Sequence, residues 1–111
     1  MSEIDFTVFR ELQADAGAEF VAELIDTFFE EAPALLAELR AAHTQGDANR
    51  FRRAAHSIKS NSLTFGATAL AEQARALELG GAPADRASQA LDALEATYAQ
   101  AVQALKELRD G

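Results

Sequence analysis

The sequence predicts an all-α protein: an antiparallel up-and-down four-helix bundle with a short N-terminal helix. Good helix formers such as alanine, leucine, glutamate and arginine fill the chain, and only 6 glycines and 2 prolines occur in its 111 residues. Apolar residues recur at intervals of three and four, and no segment alternates β-branched residues as a strand would. The breaks between helical segments are short, so consecutive helices are expected to run antiparallel.

The first part of the chain predicts one short and one long helix. The short helix runs from about Asp5 to Ala14, and the segment 15–17, Asp-Ala-Gly, ends it. The long helix follows over about residues 18–44. Pro33 lies inside its apolar stripe, so we expect a kink there or a division of the helix near Glu31.

Two further helices are predicted between residues 47 and 79. Gly46 suits the left-handed position at a helix end, and Asp47 suits the N-cap of the next helix. The third helix then runs from about residue 48 to residue 63 or 64. Gly66 ends it, and the fourth helix covers about residues 67–79.

The last helix follows the clearest break in the chain, Gly80-Gly81-Ala82-Pro83. Asp85 is its expected N-cap, and the helix runs to about Leu108. One stripe of this helix is apolar, as packing along a bundle requires. The stripe comprises Ala87, Leu91, Leu94, Tyr98, Val102, Leu105 and Leu108.

Size and composition exclude several classes of function. The length and the 49% of hydrophobic residues suit one domain over residues 1–111, and Met1 with a complete set of helices favours a freestanding protein. The absence of cysteine excludes disulfides, thiolate zinc sites and cysteine catalysis. A net charge of −8 argues against nucleic-acid binding. No export signal and no long apolar run are present, so we expect a cytoplasmic protein that does not engage a membrane.

The third helix differs from the rest of the chain in charge. Residues 48–71 contain no aspartate or glutamate. Four of the ten bases lie there: Arg50, Arg52, Arg53 and Lys59. On a helical wheel the apolar arc that must face the bundle comprises Phe51, Ala55, Ile58, Ser62 and Phe65. His56 lies far from the middle of this arc and is therefore expected to be exposed.

The side chains around His56 suit a phosphoryl group. Arg52 and Lys59 flank the histidine on one side, and Arg53 and Ser60 on the other. A neutral imidazole is a good nucleophile, and nearby cations stabilise a phosphoryl group bound to it. The chain has no Gly-rich phosphate loop and no acid cluster suited to magnesium. We therefore predict a phosphocarrier without its own ATP site and without a cofactor, which receives the phosphoryl group from another protein.

The fourth helix offers a partner for the imidazole. If it folds back near residues 65–67, His56 lies opposite about residues 74–78, where Arg75 and Glu78 are polar. We expect Glu78 to accept a hydrogen bond from Nδ1–H, which would leave Nε2 as the nucleophile. Leu63 is an exposed apolar residue about two turns beyond His56. The residues expected to dock a protein partner are Arg52, Arg53, Leu63 and Arg75.

These motifs together resemble the histidine phosphotransfer (HPt) family of bacterial phosphorelays. The similarity lies in residues 55–62, Ala-His-Ser-Ile-Lys-Ser-Asn-Ser, followed by Gly66-Ala67 and then Leu77-Glu78. The resemblance implies that His56 receives a phosphoryl group on Nε2 from a receiver-domain aspartate and returns it to another receiver. The implied partners are receiver domains of response regulators and a hybrid histidine kinase. An exposed His56 on one helix predicts a monomer.

The resemblance also implies roles for the neighbours of the histidine. Lys59 would support the phosphoryl group, Glu78 would orient the ring, and a small residue at Ser60 would let the receiver approach. Ser60 replaces the commoner glycine of the family, and Leu63 stands where many members have a small residue.

Two alternatives compete with the phosphocarrier. A helical adaptor could bind receiver domains or other signalling proteins without carrying phosphate. A helical enzyme or metal carrier is a weaker alternative, because bundle di-metal sites use Glu-x-x-His pairs. Arg40 and Arg53 stand three residues before the two histidines, so no metal site is expected. His43 lies near a helix C-terminus, where the dipole favours a cation, and is interpreted as structural.

Overall fold

The computed structural model describes residues 3–82 and 85–110 and contains five helices in that part of the chain. They are α1 (Phe6–Ala16), α2 (Ala18–Gln45), α3 (Ala48–Thr64), α4 (Thr68–Gly80) and α5 (Ala87–Asp110). The described residues form no strand. The four longer helices form the bundle: each packs against its neighbour along the chain, and α5 closes the ring against α2. The predicted all-α bundle with a short N-terminal helix is confirmed.

Helix α1 lies against α2 and α3, begins one residue later than predicted and ends two residues later. Asp5 is its N-cap rather than its first residue, with the carboxylate accepting hydrogen bonds from N–H groups of the first turn. The helix continues past Ala14 to Ala16, because only Gly17 of the expected break leaves helical geometry, with φ of +89°.

Helix α2 is one continuous element of 28 residues, so of the two outcomes predicted at Pro33 the division near Glu31 is wrong, and the kink stays a prediction. Pro33 removes one backbone hydrogen bond, but its ring is exposed on the surface of the helix. Buried residues lie on both sides of the proline, including Phe28 and Leu36. Packing against one core therefore holds the two halves as a single helix.

The connections around α3 follow the predicted pattern. Gly46 ends α2 in the left-handed conformation, with φ of +70°, and the carboxylate of Asp47 accepts from the N–H of Arg50 at 3.1 Å. Gly66 follows α3 with φ of +77°. Ala67 occupies the N-cap position of α4, so that helix begins one residue later than predicted.

The connection between α4 and α5 differs from the prediction at the start of α5. Gly81 ends α4 by donating its N–H to the Leu77 carbonyl at 2.9 Å. Pro83, part of the predicted break, lies outside the described residues. Asp85 lies in a turn, and the N–H of Ala90 bonds to the carbonyl of Arg86 at 2.9 Å. Arg86 therefore precedes α5, and the prediction of Asp85 as N-cap is wrong by one position.

The core runs along the axis of the bundle. Phe28 lies near its centre, with ring centroids 5.5 Å from Phe65 and 5.7 Å from Tyr98. Most of the predicted α5 stripe faces this core, with Leu91, Leu94 and Leu105 buried and Tyr98 and Leu108 partly buried. The prediction is wrong at Val102, which lies outside the core cluster of the described residues, since Ala101 is buried there instead. No helix in the described part of the chain is sufficiently long and apolar to cross a membrane.

Candidate functional site

The rotation of α3 about its axis is set by its buried face. All five residues of the predicted apolar arc are buried: Phe51, Ala55, Ile58, Ser62 and Phe65. Because these side chains fill the space between α2 and α4, the opposite face of α3 must point to solvent. The His56 side chain is accordingly 59% exposed. An imidazole in this position is open to a large reaction partner.

Glu78 of α4 binds one nitrogen of the imidazole. The distance from His56 Nδ1 to Glu78 Oε2 is 2.7 Å. The turn at Gly66 brings α4 back along α3, and burial of the adjacent Leu77 places Glu78 at the edge of the interface. An ionised carboxylate only accepts hydrogen bonds, so this contact requires a proton on Nδ1. In the neutral ring, Nε2 then carries the free lone pair.

The second oxygen of the same carboxylate binds Lys59. Lys59 Nζ lies 2.7 Å from Glu78 Oε1, and both side chains are mostly buried, with exposures of 23% and 15%. Lys59 first, and His56 second, lower the pKa of Glu78 below the usual range of a glutamate. Glu78 is therefore ionised at neutral pH and joins the lysine to the imidazole.

The arginines of α3 divide into two groups. Arg52 and Arg53 are exposed and line a shallow groove with His56, Ser57 and Glu78. Arg52 donates to Asn49 Oδ1 at 2.7 Å. Within residues 3–82 and 85–110, the side chain of Arg53 makes no hydrogen bond or ion pair.

Arg50 belongs to a different part of the surface. Its Nε donates to Glu38 Oε1 of α2 at 2.6 Å, and Nη1 donates to Gln45. This base therefore links α3 to α2 and lies apart from the groove beside His56.

Three further predicted site residues make no polar contact with the imidazole in the described part of the chain. Ser60, Leu63 and Arg75 are all exposed, Leu63 to 53%. No hydrogen bond or ion pair in the described part of the chain joins any of them to His56 or Glu78. The structure leaves them accessible on α3 and α4.

Two features of the site are not apparent from the sequence pattern. Ser57 lines the groove beside His56, although neighbouring residues on a helix face different directions and no spacing signal marks it. The Lys59–Glu78 ion pair is the second, because it joins residues of different helices. His43 is exposed, and its ring centroid lies 6.3 Å from that of Phe51.

Two small residues of the motif have packing roles. Ser62 is fully buried and donates its hydroxyl to the Ile58 carbonyl at 2.6 Å, so the polar group is satisfied within α3. At Gly66, an added Cβ would lie 2.9 Å from the Asp5 carbonyl oxygen and 3.0 Å from Val8 Cβ. Ser62 therefore serves the packing of α3, and Gly66 lets the end of α3 lie against the start of α1.

Comparison with known proteins identifies this arrangement. The family model of the Hpt domain matches residues 23–109. The structure is similar to the crystal structure of histidine-containing phosphotransfer protein B (HptB) from Pseudomonas aeruginosa PAO1, with a TM-score of 0.86 and 31% sequence identity over 97% of this chain and 95% of that chain. A search of curated protein sequences gave no match. The family match over most of the chain and the similarity over nearly its whole length show that the chain belongs to the Hpt family of phosphotransfer domains.

Proposed function

We propose that this protein is a carrier in a multistep phosphorelay, which accepts a phosphoryl group on Nε2 of His56 from a receiver-domain aspartate and passes it to another receiver domain. The main observation in support is the exposed imidazole of an Hpt-family bundle, held through Nδ1 by Glu78 at 2.7 Å. A ring held in this way presents Nε2 as a neutral nucleophile.

The transfer balances without another reactant. The Nε2 lone pair attacks phosphorus, the bond from phosphorus to the aspartyl oxygen breaks, and the aspartate leaves as a carboxylate. The proton on Nδ1 remains in place, so the ring becomes a phosphorylated imidazolium. Glu78 then stabilises the positive charge that develops on the ring. The return step is the reverse reaction with the aspartate of a second receiver.

Lys59 and Ser60 are proposed to support the phosphoryl group. The ammonium of Lys59 is bound to Glu78 beside the ring, and its flexible side chain could exchange the carboxylate for a phosphoryl oxygen. Ser60 is small and exposed, one turn beyond His56. A residue of this size leaves room for the backbone of an approaching receiver domain.

Docking of the receiver is proposed to use the exposed side chains that surround the imidazole. The cations suit a partner whose reacting group is an anionic aspartyl phosphate, and the apolar residue supplies area that binding can bury. These residues are Arg52, Arg53, Leu63 and Arg75.

The remaining properties follow from the same proposal. A carrier that exchanges phosphoryl groups with receiver domains and a hybrid kinase needs neither an ATP site of its own nor nucleic acid. We propose that residues 1–111 act as one domain and that the protein works in the cytoplasm as a monomer. The exposed histidine on one helix supports the monomer, because no second copy is needed to complete the site.

Phosphotransfer from a phosphorylated receiver domain tests the function. Wild-type protein should acquire an acid-labile, alkali-stable label, and His56→Gln should keep its helical circular dichroism but acquire none, because the side chain is exposed. Label on the variant would place the phosphorylated residue elsewhere. Binding of the receiver without label on the wild type would favour the adaptor that carries no phosphate.

A further inference from the structure

The two edges of the His56 ring face different surroundings. The Nδ1 edge points to Glu78 on α4, and Lys59 binds the same carboxylate. Nε2 lies on the other edge of the five-membered ring, so it points away from Glu78. The charge of Lys59 is balanced by Glu78 at 2.7 Å. In the unphosphorylated protein, Lys59, which the family resemblance assigns to the phosphoryl group, is therefore bound by the same carboxylate that holds Nδ1.

Arg53 lies on the side of α3 that faces α2. It lines one groove with His56 and Ser57, and a neighbouring groove with Leu35 and Glu38 of α2. Glu38 is the acid of this second groove, and its Oε1 is already paired with Arg50 Nε at 2.6 Å. The guanidinium of Arg53 is consequently an exposed cation without an ion pair among the described residues.

Arg53 and the imidazole lie close together, because Arg53 stands three residues before His56 on α3 and lines the same groove. Helical side chains lean toward the N-terminus, so the ring of His56 lies over the turn that contains Arg52 and Arg53. Arg52 donates a hydrogen bond to Asn49 and also lines another groove, which includes Leu77 and Glu78 of α4. Arg53 is the one of the two that also lines the groove with Leu35 and Glu38 of α2.

We propose that Arg53 binds the phosphoryl group on Nε2 of His56 directly, in addition to any role in docking. This inference rests on the proposed phosphorylation of His56. A guanidinium presents several N–H donors in a fixed plane and can bind two phosphoryl oxygens at once. The protein carries a net charge of −8, and a local cation reduces the cost of adding another anionic group. In this arrangement Lys59 positions Glu78 before transfer and binds the phosphoryl group only after Arg53 has bound it.

Chemical phosphorylation by phosphoramidate separates this role from docking, because the donor is too small to use a protein interface. The Nε2 lone pair attacks phosphorus, the P–N bond of phosphoramidate breaks in its N-protonated form, and neutral ammonia leaves with the bonding electron pair. We compare wild type with Arg53→Ala, Arg53→Lys and Lys106→Ala. Lys106 is an exposed base on α5, a helix that does not contact α3 in the described residues, so its removal matches the change in net charge.

Two measurements are expected to change together. Arg53→Ala should slow labelling of His56 by roughly three- to tenfold, a modest factor because solvent screens an exposed charge. The second pKa of the bound phosphoryl group, followed by ³¹P NMR, should rise in Arg53→Ala, because a nearby cation favours the dianion. Arg53→Lys should recover part of both effects, and Lys106→Ala should behave as wild type.

The outcomes distinguish the two proposals. If Arg53→Ala kept the wild-type labelling rate and the wild-type phosphoryl pKa, direct binding would be overturned. This would hold even if transfer from a receiver domain became slower, because that result would assign Arg53 to docking alone. Equal effects of Lys106→Ala would also overturn it, because net charge would then be the cause. Absence of label on wild-type His56 with phosphoramidate and with receiver donors would instead reject the proposed function.

Discussion

The residue on which the chemistry of His56 most depends is Glu78. A neutral hydrogen-bond acceptor could also hold Nδ1–H and fix the tautomer. A carboxylate does more, because it stabilises the imidazolium that forms during transfer and binds Lys59 with its other oxygen. Both effects need the negative charge and not only the shape of the side chain.

We therefore expect His56 to be phosphorylated more slowly in Glu78→Gln than in wild type, while the variant remains folded. The amide oxygen can still accept from Nδ1–H, but the charge-assisted bonds to the ring and to Lys59 are lost, which we expect to slow labelling by roughly tenfold. The measurement is the initial rate of His56 phosphorylation by a receiver domain. Glu72→Gln is the matched control, since Glu72 is exposed on the same helix. Equal rates for the two variants would show that the negative charge of Glu78 does not contribute to phosphorylation.

At the scale of the helices, the turn between α3 and α4 determines whether Glu78 reaches His56. Gly66 adopts φ of +77°, and its carbonyl accepts from the N–H of Asp5 at 2.7 Å, so the turn is also joined to the start of α1. Gly46 has a similar φ of +70°, but an added Cβ there would meet no atom within 4 Å. Alanine substitutions at the two glycines therefore separate the effect of backbone strain, present at both, from that of close packing, present only at Gly66.

Gly66→Ala should therefore be more destabilising than Gly46→Ala. A left-handed alanine costs about 1–2 kcal/mol at either position. At Gly66 the Cβ would also lie 2.9 Å from the Asp5 carbonyl oxygen, which raises the expected total to roughly 2–4 kcal/mol. Urea unfolding followed by circular dichroism measures both free energies. Similar losses would show that the end of α1 moves aside without cost.

The continuity of α2 across Pro33 leads to a prediction about helix stability. A proline inside a helix costs about 3 kcal/mol relative to alanine, and its restriction of the unfolded chain returns up to about 1 kcal/mol. Because Pro33 is exposed, Pro33→Ala should raise the free energy of unfolding by about 1–2 kcal/mol without disturbing the core. Pro33→Gly should gain less, since glycine is a poor helix former. A loss of stability in Pro33→Ala, measured by urea unfolding, would contradict this account.

At the scale of the whole molecule, an acidic bundle carries one basic helix face. The bundle measures only 24 × 19 Å across its long axis, so each helix keeps a face in solvent. Helix α3 can therefore bury its apolar arc and still expose His56 with Arg52 and Arg53. Two acids outside α3 bind its bases: Glu38 holds Arg50, and Glu78 holds Lys59.

These ion pairs predict a loss of stability in acid. Arg50 lowers the pKa of Glu38, and Lys59 followed by His56 lowers that of Glu78, both below the usual value of 4.5. A carboxylate with a lowered pKa in the folded protein stabilises it above the unfolded value, and this contribution is lost as the pH falls through the folded value. The thermal midpoint should therefore drop between pH 5 and acid conditions near pH 3, an interval of roughly two units.

Variants separate the contribution of Glu78 from general acid denaturation. Glu78→Gln has no carboxylate to protonate at this position, so its thermal midpoint should depend less on pH over the same interval than that of wild type. Glu72→Gln should retain the wild-type dependence, because Glu72 makes no ion pair in the described part of the chain. Identical pH profiles for wild type and Glu78→Gln would contradict the linkage.

The sequence by itself determined the helices and the direction in which His56 points. Both are local properties: a 3.6-residue period, the cap at Asp47 and the glycines at 46 and 66 depend on residues a few positions apart. The exposure of His56 followed from the apolar arc of its own helix, and the choice of Glu78 followed from folding one helix back on the next.

Only the tertiary structure decided how the charges pair and where two elements begin or continue. Lys59 and Glu78 are 19 residues apart, and Arg50 and Glu38 lie on different helices, so their contacts depend on helix separation and side-chain conformation that no periodicity records. Packing on both sides of Pro33 made α2 one continuous helix, and the turn at residues 85–86 moved the start of α5 to Ala87. Local patterns specify elements, whereas the pairing of long charged side chains depends on the distances that the assembled core sets.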